Sequence, residues 1–156
     1  MSVDEAKQII CDAGRRLLNS ELVAGTWGNI SVRIDDTQFA ITPSGMDYNK
    51  LSKDDIPIVQ LSDLSYVGPK PSTEVKLHGE IYRTRKDANA IIHTHSMNAS
   101  TVAAARREVP PILDDMAQII GPSIRVAEYA LPGTSKLVKG TVKALKGRSG
   151  VLLANH

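Results

Sequence analysis

The chain has 156 residues, of which 42% are hydrophobic and 23% charged, so it is long and apolar enough for one folded domain and is not disordered. Its 19 basic and 17 acidic residues leave a formal charge of +2, which is too balanced to predict nucleic acid or an anionic membrane as a partner. With a single cysteine, no membrane-length apolar run and no signal-peptide pattern, the sequence predicts a cytoplasmic protein without a disulfide.

The first half of the chain mixes helix and strand patterns. Ser2 followed by Glu5 fits a capping box, after which apolar residues recur at helical spacing. Alternating apolar residues further on are typical of half-buried strands, and Pro57 limits the next apolar segment to a short or edge strand. The predicted elements are a helix over 2–18, a hairpin of strands 30–34 and 39–41, a strand within 56–61 and a helix starting near Glu74.

The second half continues the alternation of strands and helices. An apolar run ending in two histidines predicts a buried strand, and Thr134 or Ser135 caps a later helix that Gly147 ends. The predicted elements are strands over 89–95, 124–129 and 151–154, and helices over 98–106, 114–120 and 134–147. Together the elements predict one mixed α/β domain over residues 1–156.

Two histidines lie at the end of the strand predicted over residues 89–95. Side chains at i and i+2 of a strand share a face, so the imidazoles of His93 and His95 can converge on one metal ion. The alternative is two polar residues at a strand end. His156 follows another apolar strand, and if the two strands are neighbours, three imidazoles meet at one edge of the sheet. Three protein ligands with one open position are typical of a catalytic zinc site.

Two further side chains are candidates for chemistry. Glu74 at a helix N-terminus is either a cap favoured by the helix dipole or a base or metal ligand. His78 lies one helical turn further on, where packing or a hydrogen bond is the main alternative to its being the third metal ligand.

Three loops of small and polar residues could hold an anion through backbone N–H groups, although each could also be an ordinary turn. None of them matches a nucleotide-binding fingerprint. The loops are Gly25-Thr26-Trp27-Gly28-Asn29, Thr42-Pro43-Ser44-Gly45 and Ser72-Thr73.

Taken in order, these motifs resemble the class II aldolase/adducin family, and within it the L-fuculose-phosphate aldolase type. The resemblance covers essentially the whole chain and includes Asn155-His156 near its end. It implies a central, mostly antiparallel sheet flanked by helices and a homotetramer with active sites between subunits. The family continues beyond the third histidine into C-terminal helices, so we expect the native protein to be longer than this sequence.

The resemblance also implies roles for individual residues. Glu74 would be the catalytic acid/base, and one Zn²⁺ per chain, or another divalent metal, would be held by His93, His95 and His156. The residues that would bind the substrate phosphate are Gly28, Asn29, Ser44, Gly45, Ser72 and Thr73. Family aldolases carry a tyrosine shortly after the position of Pro110-Pro111, where this chain has Leu113-Asp114-Asp115 instead.

The implied reaction is the reversible aldol cleavage of a phosphorylated ketose, L-fuculose 1-phosphate or a similar sugar, to dihydroxyacetone phosphate and an aldehyde. Family relatives that epimerise, dehydrate or decarboxylate related sugars offer alternatives at the same site. A non-catalytic adducin-like module and an iron-dependent oxidoreductase are further alternatives.

Overall fold

The computed structural model describes all residues from Met1 to His156, and the chain forms two compact units, Met1–His95 and Ser96–His156. Each unit combines helices with a sheet. No helix in the chain has both the length and the apolar character needed to cross a membrane.

Helix α1 (Val3–Asn19) opens the first unit and begins with the predicted capping box. The hydroxyl of Ser2 accepts a hydrogen bond from the Glu5 backbone N–H, and the Glu5 carboxylate accepts one from the Ser2 backbone N–H. The two bonds satisfy backbone donors that a helix start leaves without partners. The apolar face of α1 is buried, and the prediction of this helix is confirmed.

Five strands form the sheet of the first unit. They are β1 (Asn29–Arg33), β2 (Gln38–Ile41), β3 (Ile58–Gln60), β4 (Tyr66–Val67) and β5 (Ala90–His93), in the order β4-β3-β2-β1-β5. All pairings are antiparallel, with Ser31 opposite Ile41 on one side of β1 and Asn29 opposite His93 on the other. This register brings the end of β5 to the start of β1.

Helices cover both faces of this sheet. Helix α1 packs on one face, where Ile30 and Val32 of β1 point into its core. Helix α2 (Val75–Thr84) packs on the other face, where Tyr82 joins Phe39 and Ile41 of β2. The alternation in β1 predicts a half-buried strand, but all five of its residues are buried because α2 covers the polar side as well.

The second unit contains helices α3 (Met97–Ala104), α4 (Asp114–Ile119) and α5 (Ser135–Leu145) and strands β6 (Arg125–Ala127) and β7 (Val151–Leu153). The two strands pair in parallel and form a sheet of their own. Helix α5 begins as predicted, because the Thr134 hydroxyl accepts a hydrogen bond from the Leu137 backbone N–H at 3.3 Å.

The predicted fold class, a mixed α/β structure with a mostly antiparallel sheet flanked by helices, is confirmed. Two local predictions need correction. Strand β5 is an exposed edge of the sheet, with Ile92 53% exposed, and is not a buried strand. Strand β3 is short as predicted but lies inside the sheet, because the unpredicted strand β4 covers its outer side.

Candidate active site

The three predicted anion-binding loops lie side by side in the first unit. Thr42, in the second loop, connects this loop to β1 and to the third loop. Its backbone N–H donates to the Ile30 carbonyl of β1 at 2.9 Å, and its carbonyl accepts from the Ser72 backbone N–H of the third loop at 3.0 Å. Ser44 donates its backbone N–H to the Lys70 carbonyl at 3.0 Å. The loops around residues 28–30, 42–45 and 70–73 therefore converge beside the N-terminus of α2.

The residues predicted to bind phosphate differ in what they present. Ser44, Gly45 and Thr73 are exposed, and Gly45 adopts a left-handed φ of 72° with open space around its α-carbon. Ser72 is buried, and its hydroxyl accepts a hydrogen bond from the Glu74 backbone N–H at 3.3 Å. The side chain of Asn29 donates a hydrogen bond to the Glu74 carboxylate. Phosphate binding by this set stays a prediction.

Gly28 packs directly on the segment that carries the histidines. Its φ is 77°, and a β-carbon at this position would lie 2.6 Å from the His93 carbonyl oxygen and 2.7 Å from Val23 Cγ1. Only glycine combines this backbone conformation with such a close approach. The Gly25–Asn29 loop and the end of β5 therefore form one packed assembly.

Glu74 lies at the N-cap position of α2, but its side chain makes no capping hydrogen bond. The carboxylate is instead turned towards β1 and β5: Oε2 accepts a hydrogen bond from Asn29 Nδ2 at 2.9 Å and lies 3.4 Å from His93 Nδ1. With Glu74 only 5% exposed, this acidic group is held inside the protein beside a histidine. The capping interpretation of Glu74 is therefore wrong.

His93 and His95 converge as the spacing predicts. Their Nε2 atoms are 3.0 Å apart, and their ring centroids are 4.9 Å apart. Two nitrogens that each lie about 2.0–2.1 Å from one tetrahedral zinc ion are roughly 3.3 Å apart. Because Nδ1 of His93 faces Glu74, the Nε2 side of this ring is the one presented to its neighbour. The donor set fits two positions of a divalent-metal site, with a carboxylate orienting one imidazole from behind.

His78 is a packing residue and not a metal ligand. Its ring is fully buried, with Nδ1 2.6 Å from the Ser31 hydroxyl, which in turn lies 2.8 Å from the Tyr82 hydroxyl. Burial lowers the pKa of His78 to about 3 and raises that of Tyr82 to about 12. Both side chains are therefore neutral at ordinary pH, and the hydrogen-bonding interpretation of His78 is supported.

A row of polar residues between β1 and α2 was missed at the level of sequence. Alternate residues of β1 contact three residues that are spaced four apart, one at the N-cap of α2 and two within it: Glu74, His78 and Tyr82. Asn29 contacts Glu74, and Ser31 contacts both His78 and Tyr82. The combination of a polar i, i+2 row and a polar i, i+4 row is the signal that could have indicated this contact.

His156 belongs to the second unit, where it ends a tight turn after β7. Asn155 ahead of it has a left-handed φ of 53°, and its side-chain oxygen accepts a hydrogen bond from Arg106 Nη2 at 3.2 Å. In the sheets, β5 pairs with β1 and β7 pairs with β6, so the strands before His93 and His156 are not hydrogen-bonded to each other. The role of His156 as a third ligand stays a prediction.

Comparisons with known proteins identify the family of this chain. The family model described as Class II Aldolase and Adducin N-terminal domain matches residues 8–156. The chain therefore belongs to the class II aldolase and adducin family.

Within this family, the chain is similar to several sugar-phosphate aldolases. A 5-deoxy-D-ribulose 1-phosphate aldolase of Bacillus thuringiensis is 35% identical over 158 residues, covering 100% of this chain and 74% of the relative. An L-fuculose phosphate aldolase of Escherichia coli is 37% identical over 151 residues, covering 97% of this chain and 69% of the relative. The solved structure of an L-fuculose 1-phosphate aldolase superimposes with a TM-score of 0.92 at 38% identity, covering 100% of this chain and 74% of that one.

Proposed function

We propose that this protein is a metal-dependent aldolase that reversibly cleaves a phosphorylated ketose, L-fuculose 1-phosphate or a related sugar, to dihydroxyacetone phosphate and an aldehyde. One observation carries the proposal. The buried carboxylate of Glu74 lies 3.4 Å from His93, whose other ring nitrogen is 3.0 Å from His95. An acid/base group and two metal-type donors therefore share one site.

In this proposal, His93 and His95 hold one divalent ion, zinc in the first instance, together with His156. The His93–His95 geometry supports the first two ligands, and the family resemblance supports the third. Such an ion supplies Lewis-acid stabilisation of the negative charge that develops on the oxygens of the substrate.

Glu74 carries the proton in the proposed reaction. In the cleavage direction, the bond between the carbon next to the ketone and the neighbouring carbinol carbon breaks. The carbinol hydroxyl passes its proton to the Glu74 carboxylate and becomes the aldehyde, while the electron pair of the broken bond stays on the ketone fragment. That fragment then accepts a proton from Glu74 and becomes dihydroxyacetone phosphate. Asn29 holds the Glu74 carboxylate in place through its 2.9 Å hydrogen bond.

The substrate phosphate is proposed to bind where the three loops converge. Left-handed Gly45 and exposed Ser44 and Thr73 offer polar groups at this position, next to the N-terminus of α2. Helix N-termini favour anions, so the phosphate would be held there while the reacting carbons reach the histidines. Gly28, Asn29 and Ser72 complete the proposed set.

A coupled assay tests the proposal. Purified protein loaded with zinc is incubated with L-fuculose 1-phosphate, 5-deoxyribulose 1-phosphate and other phosphorylated ketoses, and dihydroxyacetone phosphate is measured by its enzymatic reduction. We expect about one zinc per chain and cleavage of at least one sugar, with both lost in His93→Ala and His95→Ala. A folded, zinc-loaded protein that cleaves none of these sugars would overturn the proposal.

The same reaction mixtures separate the alternatives. Cleavage gives two fragments, epimerisation gives one isomeric sugar, dehydration changes the mass by one water and decarboxylation releases carbon dioxide. The retained histidine pair and the buried acid favour an enzyme over a non-catalytic module. The family resemblance also supports a homotetramer, which light scattering of the purified protein tests.

A further inference from the structure

We propose that Trp27 is a positioning residue that orients the imidazole of His95 for metal binding. The proposal rests on the proposed metal site and adds a residue to which the sequence assigned only a place in a loop. The indole of Trp27 and the imidazole of His95 lie in contact, with ring centroids 5.6 Å apart and planes tilted by 39°.

The position of Trp27 is defined although its side chain is largely exposed. Trp27 is 62% exposed, although tryptophan side chains are on average largely buried. Its backbone N–H donates to the Ala24 carbonyl at 3.1 Å, and left-handed Gly25 and Gly28 flank it. The indole thus lies on the surface of this loop and contacts His95.

Two further contacts join the same loop to the histidine segment. The His95 backbone N–H donates to the Leu22 carbonyl at 3.0 Å, and the α-carbon of Gly28 packs against the His93 carbonyl. The indole contact is therefore the third connection between residues 22–28 and 93–95. Because backbone contacts already hold the two segments together, the contact of the Trp27 indole acts on the His95 ring itself.

The two histidines are oriented by different means. His93 is the last residue of β5 and has the Glu74 carboxylate beside its Nδ1 atom. His95 lies beyond the end of that strand, with an aromatic ring beside it. Groups that orient metal ligands from the second layer typically contribute tenfold to hundredfold in metal affinity. We therefore expect Trp27 to contribute to metal affinity through the rotamer of His95.

The test measures zinc affinity by competition with a chromogenic chelator, in the whole protein and without substrate. Trp27→Ala is expected to weaken zinc binding about tenfold or more. Trp27→Phe keeps an aromatic ring and is expected to restore most of the affinity. The matched control is Tyr66→Ala, which removes a 47% exposed aromatic from β4, the strand at the opposite edge of the sheet from β5.

Fluorescence supplies a second readout that does not depend on activity. Trp27 is the only tryptophan of the chain, so its emission reports on the site directly. Zinc is expected to change the emission of the wild-type protein, and cobalt is expected to quench it at the same stoichiometry. A variant lacking both His93 and His95 should show neither effect.

The outcomes separate this proposal from the proposed function. Zinc binding that is equal in wild type, Trp27→Ala and Tyr66→Ala, or emission that ignores the metal, overturns the role of Trp27 and leaves the aldolase proposal standing. Weakened binding in Trp27→Ala together with metal-dependent emission supports it even if no sugar is cleaved. A wild-type protein that binds neither metal overturns both proposals.

Discussion

Asn29 donates a hydrogen bond from its side-chain nitrogen to the carboxylate of Glu74 at 2.9 Å, across 45 residues of sequence. The bond joins the first residue of β1 to the residue ahead of α2, and both side chains are buried. Glu74 is thereby kept next to His93 and is not used to cap its helix. The position of the proposed acid/base thus depends on a strand residue that is distant from it in the sequence.

Replacing Glu74 by Gln is expected to remove the proton carrier while preserving the fold. The amide oxygen can still accept from Asn29, and the histidine pair is unchanged, so zinc content should stay the same. General acid–base groups contribute about 10²–10⁴ in rate, and kcat should fall by that factor. Exchange of the hydroxymethyl protons of dihydroxyacetone phosphate with deuterated water, followed by NMR, measures the proton step alone. Normal exchange in Glu74→Gln would rule out this role.

Replacing Asn29 tests the support of Glu74. A hydrogen bond to a charged group contributes about 1.5–3 kcal/mol, so Asn29→Ala should lower the rate roughly 10- to 150-fold without removing zinc. Asn29→Asp places a second carboxylate beside the first, which raises the pKa of the pair because both cannot easily ionise together. The activity of Asn29→Asp should therefore rise only at higher pH than in wild type. Unshifted pH profiles would show that this contact does not act on Glu74.

Gly28 and Gly25 form a matched pair. Both have a left-handed φ, but a β-carbon would be 2.6 Å from the His93 carbonyl at Gly28 and meets nothing within 4 Å at Gly25. Gly25→Ala should cost only the left-handed strain of about 1–2 kcal/mol. Gly28→Ala should cost roughly 2–5 kcal/mol in denaturant unfolding because overpacking is added, and it should also weaken zinc binding. Equal losses in the two variants would contradict the close packing of the loop on His93.

Acid is expected to destabilise the metal-free protein through His78. Its pKa is about 3 in the folded state against an ordinary value of 6.5, so the unfolded chain takes up the proton first. The stabilisation that comes from the neutral His78 side chain is therefore fully present above about pH 6.5. It falls as the pH decreases towards 3, by at most about 1.4 kcal/mol per pH unit. Urea unfolding of chelator-treated protein between pH 4 and 7 measures this slope. His78→Asn should be less stable overall but should lack this part of the slope, and parallel curves would refute the assignment.

Several features could be predicted because they depend on neighbours in sequence. The capping box of Ser2 and Glu5, the hairpin of β1 and β2 and the convergence of His93 and His95 follow from local spacing alone. The exposed edge position of β5 could not be predicted, because its apolar composition is the same whether a further strand pairs with it or not.

The sequence by itself determined most of the helices and strands, the pairing of the two histidines on one strand end and the family to which the chain belongs. Only the tertiary structure decided that Glu74 turns inward to Asn29 and His93, that His78 is buried among hydroxyls and that Trp27 lies on His95. The reason is physical: local patterns fix backbone conformation within a few residues. The environment of a side chain depends instead on which distant surface covers it, as α2 covers the polar side of β1.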